Sequence, residues 1–310
     1  MNSHFLAWAL STPWALQPDR MAAYAAVLAR RYAGKVQAER DADGRPGSDR
    51  MGGDGEPQAA VQRAGAGRRG AIAVVPIRGA IFQRASQIDM CDGGTGADRV
   101  SQALREANAD DTVDSILLDI DSPGGSVYGV AELAAEIRAS AKPVTAIANS
   151  LAASAGYWLG SAAGEFYVTP GGEVGSIGVW MAHEDWSKAL DEFGIKTTLI
   201  SAGQYKVEGN PYEPLGADAK AFLQSRTDDY YSAFTRDVAK GRKVSVEQVR
   251  NGMGQGRVLG ATQAKAEGMV DGVMTFDEVV RHMSRNAAPA GRKAEADRNR
   301  QQLALLSLQG

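Results

Sequence analysis

From residue 71 onward, short apolar runs alternate with stretches whose apolar residues recur at helical spacing. The run AIAVVPI (71–77) predicts a strand, and Val100, Ala103, Leu104 and Ala107 then fall at i, i+3, i+4 and i+7, one stripe of an amphipathic helix. SILLDI (115–120) predicts a buried strand, Val130, Leu133, Ala134 and Ile137 repeat the helical stripe, and KPVTAIA (142–148) gives the next strand. The alternation continues with GSIGVW (175–180) as a strand, His183–Phe193 as a helix and IKTTLI (195–200) as a strand, and it ends in a long helix from Ala217 to Lys240. Tyr230, Tyr231, Phe234 and Val238 line one side of that helix and predict core or subunit contact. Strands separated by single helices imply right-handed crossovers, so the predicted class is α/β with a mainly parallel sheet flanked by helices.

Outside that region the pattern changes. Residues 1–34 hold one helical stretch, Arg20–Tyr32, and residues 35–70 are a Gly, Asp, Arg and Pro mixture that predicts a flexible linker. Its exposed-looking part, Asp41–Gly70, is a candidate for self-cleavage. A domain over 71–283 follows, then an extension over 284–310 that is rich in Ala, Arg, Lys and Glu and ends in LALLSLQG. The apolar start, Phe5–Leu16, has no Lys or Arg before it and is interrupted by Ser11, Thr12 and Pro13, which argues against an export signal. No stretch elsewhere approaches the roughly 18 to 20 apolar residues of a membrane-spanning helix, so stable membrane insertion is not expected.

Charge and composition narrow the function classes. With 34 basic and 37 acidic residues the formal charge is -3, which gives no electrostatic ground for nucleic-acid binding. The sole cysteine, Cys91, excludes an intramolecular disulfide framework and a cysteine-rich zinc site, and reads as a small structural side chain. No grouping of His, Cys, Asp or Glu suggests a metal site, and no cofactor is implied. Asp119 and Asp121 read as strand-end and turn residues rather than a catalytic carboxylate pair.

Candidate chemistry gathers at Gly-containing turns that follow predicted strands, the edge at which ligands bind in open α/β sheets. DSPGGS (121–126) places Pro123, Gly124 and Gly125 so that bare backbone N–H groups can approach a substrate and stabilise an oxyanion. NSLAASAGY (149–157) surrounds Ser154 with small residues just after a strand and at a helix start, where developing negative charge is favoured. Taken singly, the first is an ordinary turn and the second an ordinary helical serine. A third turn, GGEVGSIG (171–178), and Lys206 in SAGQYKVEGNPYEPL change that weighting.

Four motifs in order, SPGG, AASAGY, GSIGV and YK followed by NPYEPL, make the stretch from about Ala71 to Val280 resemble the signal peptide peptidase A family of Ser-Lys peptidases. That family shares a crotonase-like fold with the Clp protease, which implies a core of ββα units. The resemblance implies Ser154 as nucleophile, Lys206 as general base and Ser176 as the hydroxyl that orients the lysine. It also implies an oxyanion hole from the N–H groups of Gly125 and Ala155, with Gly124 and Gly175 along the substrate. Chemistry agrees, because a serine hydroxyl needs a neighbour to accept its proton, and a lysine does so only uncharged, its pKa brought by burial from about 10.4 to about 7 to 8.

A Ser-His-Asp triad fits less well. Of His4, His183 and His282 only His183 is a candidate, and in the Clp branch the base follows its serine by about 25 residues, where this chain has Val179. His183 therefore reads as a surface or capping residue. The start WALSTPWALQP, with Trp8 and Trp14, and the charged tail resemble the phage and prophage branch, the capsid-associated head maturation proteases. The resemblance implies capsid, portal or scaffold chains as substrates, in the host cytoplasm or a prohead. It also implies a homo-oligomeric ring in which a dyad can form within or between protomers. The alternatives are a peptidase that degrades signal peptides, a catalytically silent head component, and acyl-CoA chemistry on the crotonase fold.

Overall fold

Successive buried strands fix the frame that positions the site. The computed structural model describes residues 12–16, 60–62, 71–84 and 94–286. The expected helix Arg20–Tyr32, the linker apart from 60–62, His4, Cys91 and the extension beyond 286 lie outside the described residues. In chain order the strands begin β1 (Trp14–Leu16), β2 (Ala60–Gln62), β3 (Ala71–Arg78), β4 (Ile81–Phe82), β5 (Thr95–Gly96), β6 (Val113–Ser122) and β7 (Gly124–Ser126). They continue with β8 (Val144–Ala153), β9 (Glu165–Val168), β10 (Glu173–Gly175), β11 (Val258–Gly260) and β12 (Gly272–Val273). The helices are α1 (Ala97–Ala109), α2 (Val130–Arg138), α3 (Ala155–Ser161), α4 (Ser187–Glu192), α5 (Ala217–Arg242), α6 (Val246–Asn251), α7 (Ala261–Ala266) and α8 over residues 276–286.

β3, β6 and β8 run parallel at the centre of an eight-stranded sheet, with β10 and β9 parallel to β8 and β12 parallel to β9. β2 and β11 close opposite edges as antiparallel strands. Alternation within β6 explains why both faces are covered. Ile116, Leu118 and Ile120 join the core beneath α1, α2, α3 and α5, while Leu117 packs with Ile72, Val74, Ile147 and Tyr167 under Val279 and Met283 of α8. The helical stripes land as predicted, with Val100, Ala103, Leu104, Ala107, Val130, Leu133, Ala134 and Ile137 all buried. Phe234 and Val238 of α5 are buried too, Tyr230 and Tyr231 pack against that core, and Phe234 stacks on Trp158 at 4.4 Å.

Three elements differ from the sequence expectation. GSIGVW forms a strand only as far as Gly175, because Gly175 (φ 126°) and Ser176 (φ 54°) turn the backbone out of the sheet; Trp180 then makes an isolated antiparallel bridge to Trp14. The helix expected from His183 begins only at Ser187, where the Asp185 carboxylate accepts the Ser187 N–H in a local turn, and it stops before Gly194 (φ 69°). IKTTLI forms no strand: all its residues are exposed, and no strand among the described residues pairs with it. A second, four-stranded sheet of order β1-β7-β4-β5 stands at the carboxyl end of β6.

Candidate active site

The site forms where β8 forks. Its first half pairs with β9 through Ala148, its last residues pair with β10 from Leu151, and Ser150 between them has φ 110°. The strand ends at Ala153, and Ser154, which is 1% exposed and adopts φ 54° and ψ -116°, leads the chain into α3. A non-glycine residue held there costs on the order of 1–3 kcal/mol and persists only where its surroundings over-determine it. Here the Ser154 N–H donates to the Gly175 carbonyl at 2.7 Å, and the Ser154 carbonyl accepts the Trp158 N–H at 2.9 Å. Small neighbours are required, since a β-carbon on Gly156 would stand 3.2 Å from both the β-carbon and the carbonyl oxygen of Ser122.

The DSPGGS turn forms the facing wall. Gly124 has φ 105°, and a β-carbon there would overlap the Ala15 carbonyl oxygen and stand 2.9 Å from the Ser154 β-carbon. Gly125 is as tightly held, because a β-carbon on it would stand 2.5 Å from the Ile81 nitrogen and overlap the Ile81 carbonyl oxygen. Ser122, fully buried, clamps this turn: its hydroxyl donates to the Gly79 carbonyl at 2.7 Å and accepts the Gly124 N–H at 3.2 Å. Sequence reading missed Ser122, which looks like any serine before proline.

Gly175 and Ser176 form the third wall. Ser176 is half-buried and its N–H donates to the Arg257 carbonyl at 2.7 Å. The Ser154 hydroxyl makes a loose 3.5 Å contact with the Gly178 carbonyl. Lys206 lies elsewhere, in the exposed loop between α4 and α5, with its own N–H on the Gly203 carbonyl at 3.1 Å. Within one chain no hydrogen bond joins Lys206 to Ser154. The same loop region exposes large apolar side chains, including Phe193 (79% exposed), Ile200 (96%) and Tyr205 (64%). His183 is also apart from Ser154, its Nε2 being 3.1 Å from the Asn210 carbonyl.

On the opposite face of the sheet, Asp119 pairs with Arg78 and is 6% exposed. Burial lifts its carboxyl above the usual carboxylate range against the pull of the Arg78 guanidinium. Among the described residues no group of three or more His, Cys, Asp or Glu could hold a metal, and no helix is long and apolar enough to cross a membrane.

Residues 85–173 match the Clp protease family model, and the mainly parallel sheet flanked by helices is that Clp-like fold. The chain is 41% identical over 181 residues to capsid assembly protease C of Escherichia phage lambda, covering 57% of this chain and 41% of that protein. It is 34% identical over 257 residues to head-tail preconnector protein GP5 of Enterobacteria phage P21, covering 80% of this chain and 50% of that protein. Protease 4 of Salmonella typhi is 31% identical over 214 residues, 68% of this chain and 34% of that protein. The chain thus spans half or less of the length of these relatives. A model described as peptidase family S49 matches residues 136–289, just under half of the chain, and that stretch includes Ser154, Ser176 and Lys206.

Proposed function

We propose that the chain is a serine endopeptidase that acts on capsid, portal or scaffold polypeptides during phage head maturation, in the host cytoplasm or within a prohead. The observation that carries this reading is Ser154 itself, a strained residue at a strand-to-helix turn, walled by glycines, in a chain similar to phage head proteins. The hydroxyl of Ser154 attacks the scissile carbonyl carbon and passes its proton to the Lys206 amine. N–H groups of Gly125 and Ala155 hold the oxyanion, Ser176 steadies the amine, and Gly124 and Gly175 border the substrate backbone. The leaving amine takes the proton as the C–N bond breaks, and water then releases the acyl group from Ser154.

Because Lys206 is exposed in the single chain, the base is supplied by a second copy in a homo-oligomeric ring. The exposed apolar side chains beside Lys206 give such a copy a surface to bury. A catalytically silent head component is the competing reading, favoured by Lys206 being exposed and making no hydrogen bond to Ser154 within one chain. Treatment with a serine-directed fluorophosphonate, read by intact mass, decides between them. A single adduct on the wild type that is absent from Ser154→Ala supports the nucleophile; an unmodified wild type at concentrations that sustain assembly rejects it.

A further inference from the structure

Residues 12–16 belong to the amino-terminal segment, yet they lie inside the site. Thr12, Trp14, Ala15 and Leu16 are at most 2% exposed. On one side they form β1, antiparallel to β7, with Trp14 opposite Ser126, Ala15 opposite Gly125 and Leu16 opposite Gly124. On the other side Trp14 and Trp180 exchange both backbone hydrogen bonds at 3.0 Å, and the Trp180 indole N–H donates to the Leu16 carbonyl at 2.8 Å. The segment is therefore the middle strand of three, flanked by the glycine strand before Ser154 and by the chain that follows Ser176.

Register places one carbonyl at the chemistry. The Val127 N–H donates to the Pro13 carbonyl at 3.2 Å, so residues 13 and 127 are a hydrogen-bonded pair. Such pairs recur at every second residue of an antiparallel ladder, which makes Ala15 and Gly125 the next one. The Ala15 carbonyl thus meets the Gly125 N–H, and it also lies against the point where a β-carbon on Gly124 would stand, 2.9 Å from the Ser154 β-carbon. This is the place of a scissile carbonyl. Among the described residues no lysine or histidine is hydrogen-bonded to Ser154, so the strand can sit there uncut.

We infer that residues Thr12–Leu16 are the resident occupant of the substrate cleft. The substrate is then an extended polypeptide that pairs between β7 and residue 180, sets a small residue against Gly125 between larger apolar ones, and enters by displacing this strand. The inference rests on Ser154 being the nucleophile. Strand pairing on both edges supplies affinity for any extended backbone, and the Trp-Ala-Leu sequence of the occupant reports the side-chain preference.

The test uses the full chain. Hydrogen exchange should find the amides of Trp14 and Ala15 on the order of 100-fold or more slower than in an unfolded peptide. Trp14→Gly and, as a second variant, Ala15→Pro should speed fluorophosphonate labelling of Ser154 by on the order of tenfold or more, by raising the population of the open cleft. A peptide of residues 11–18, STPWALQP, added to Trp14→Gly should slow labelling again. Exchange of these amides at unfolded rates overturns the inference. So does labelling of both folded variants at the wild-type rate, with Ser154 still the labelled residue, and in that case the nucleophile stands. Protected amides with no labelling of any variant would instead remove Ser154 as nucleophile and the substrate assignment of the cleft with it.

Discussion

Gly125→Ala tests how strictly the glycine strand is placed. The added β-carbon would stand 2.5 Å from the Ile81 nitrogen and overlap the Ile81 carbonyl oxygen, and both are backbone atoms of β4 that cannot rotate away. Ordinary carbon contacts lie at about 3.5–4.0 Å, so β7 and β4 must part by roughly 1 Å. A shift of that size at a catalytic group costs about 100-fold in rate, close to 2.7 kcal/mol. Overpacking adds about 1–3 kcal/mol of lost stability, so activity is compared only under conditions where circular dichroism shows the variant folded. The assay is kcat/KM on a peptide substrate alongside the labelling rate of Ser154. Gly171→Ala is the control, because a β-carbon at Gly171 meets nothing within 4 Å and should leave both rates unchanged. Wild-type rates in a folded Gly125→Ala protein would refute the placement of the oxyanion donor on this strand.

Further expectations concern the base and the fold. If Lys206 reaches Ser154 of a neighbouring copy, equal amounts of Ser154→Ala and Lys206→Ala, each inactive alone, should recover roughly a quarter of wild-type activity after mixing and reassembly; no recovery after subunit exchange is shown by mass would place both groups in one chain. Asp271 ties β9 to the end of α5, accepting from two Arg242 nitrogens at 2.8 and 2.9 Å and from the Phe166 N–H at 2.7 Å. Burial pushes this carboxyl up, but the Arg242 and Phe166 donors outweigh it and hold it below the usual range. Its stabilising effect is therefore fully present above the unfolded value of about 3.9 and is lost as pH falls through the lower folded value. Because the carboxylate is partly exposed, Asp271→Asn should cost only about 1 kcal/mol at neutral pH, read from urea midpoints. The gap should close below about pH 4, and an equal gap at pH 3 and pH 7 would contradict the assignment.

The parallel core was legible because its signal is local. Residues 115–120 are apolar apart from Ser115 and Asp119, and the stripes from Val100 and Val130 have a single period, so burial followed from pattern alone. The turn position of Ser154, between a strand and a helix, was legible through its motif and not through periodicity, since a serine among alanines carries no period. IKTTLI has the composition of a strand, but strand formation needs a partner edge, and the outer edge of β10 is already taken by β11. The role of residues 12–16 was hidden for a related reason. Trp14–Leu16 is too short to show alternation, and its two partners, near residues 125 and 180, are far away in sequence. Lys206 could be named from YK and NPYEPL, yet its exposure, without a hydrogen bond to Ser154, is a tertiary fact that no local pattern carries.

On the proposed reading, the strained serine, the occupied cleft and the exposed lysine loop form one control. A nucleophile with an oxyanion hole already built, left open in a host cell, would cleave indiscriminately. Here the strain at Ser154 is held by bonds to Gly175 and Trp158 that do not depend on substrate, so the nucleophile is pre-organised. Among the described residues of the single chain the cleft is filled and no base is hydrogen-bonded to Ser154. Burying Phe193, Ile200 and Tyr205 against another copy gains roughly 1.5–3 kcal/mol for each, a substantial offset against the freedom lost on association. Assembly would then bring the base, and a substrate strand competes for the cleft at high local concentration only inside the assembly. Confinement of proteolysis to the particle follows from these two requirements being met in the same place.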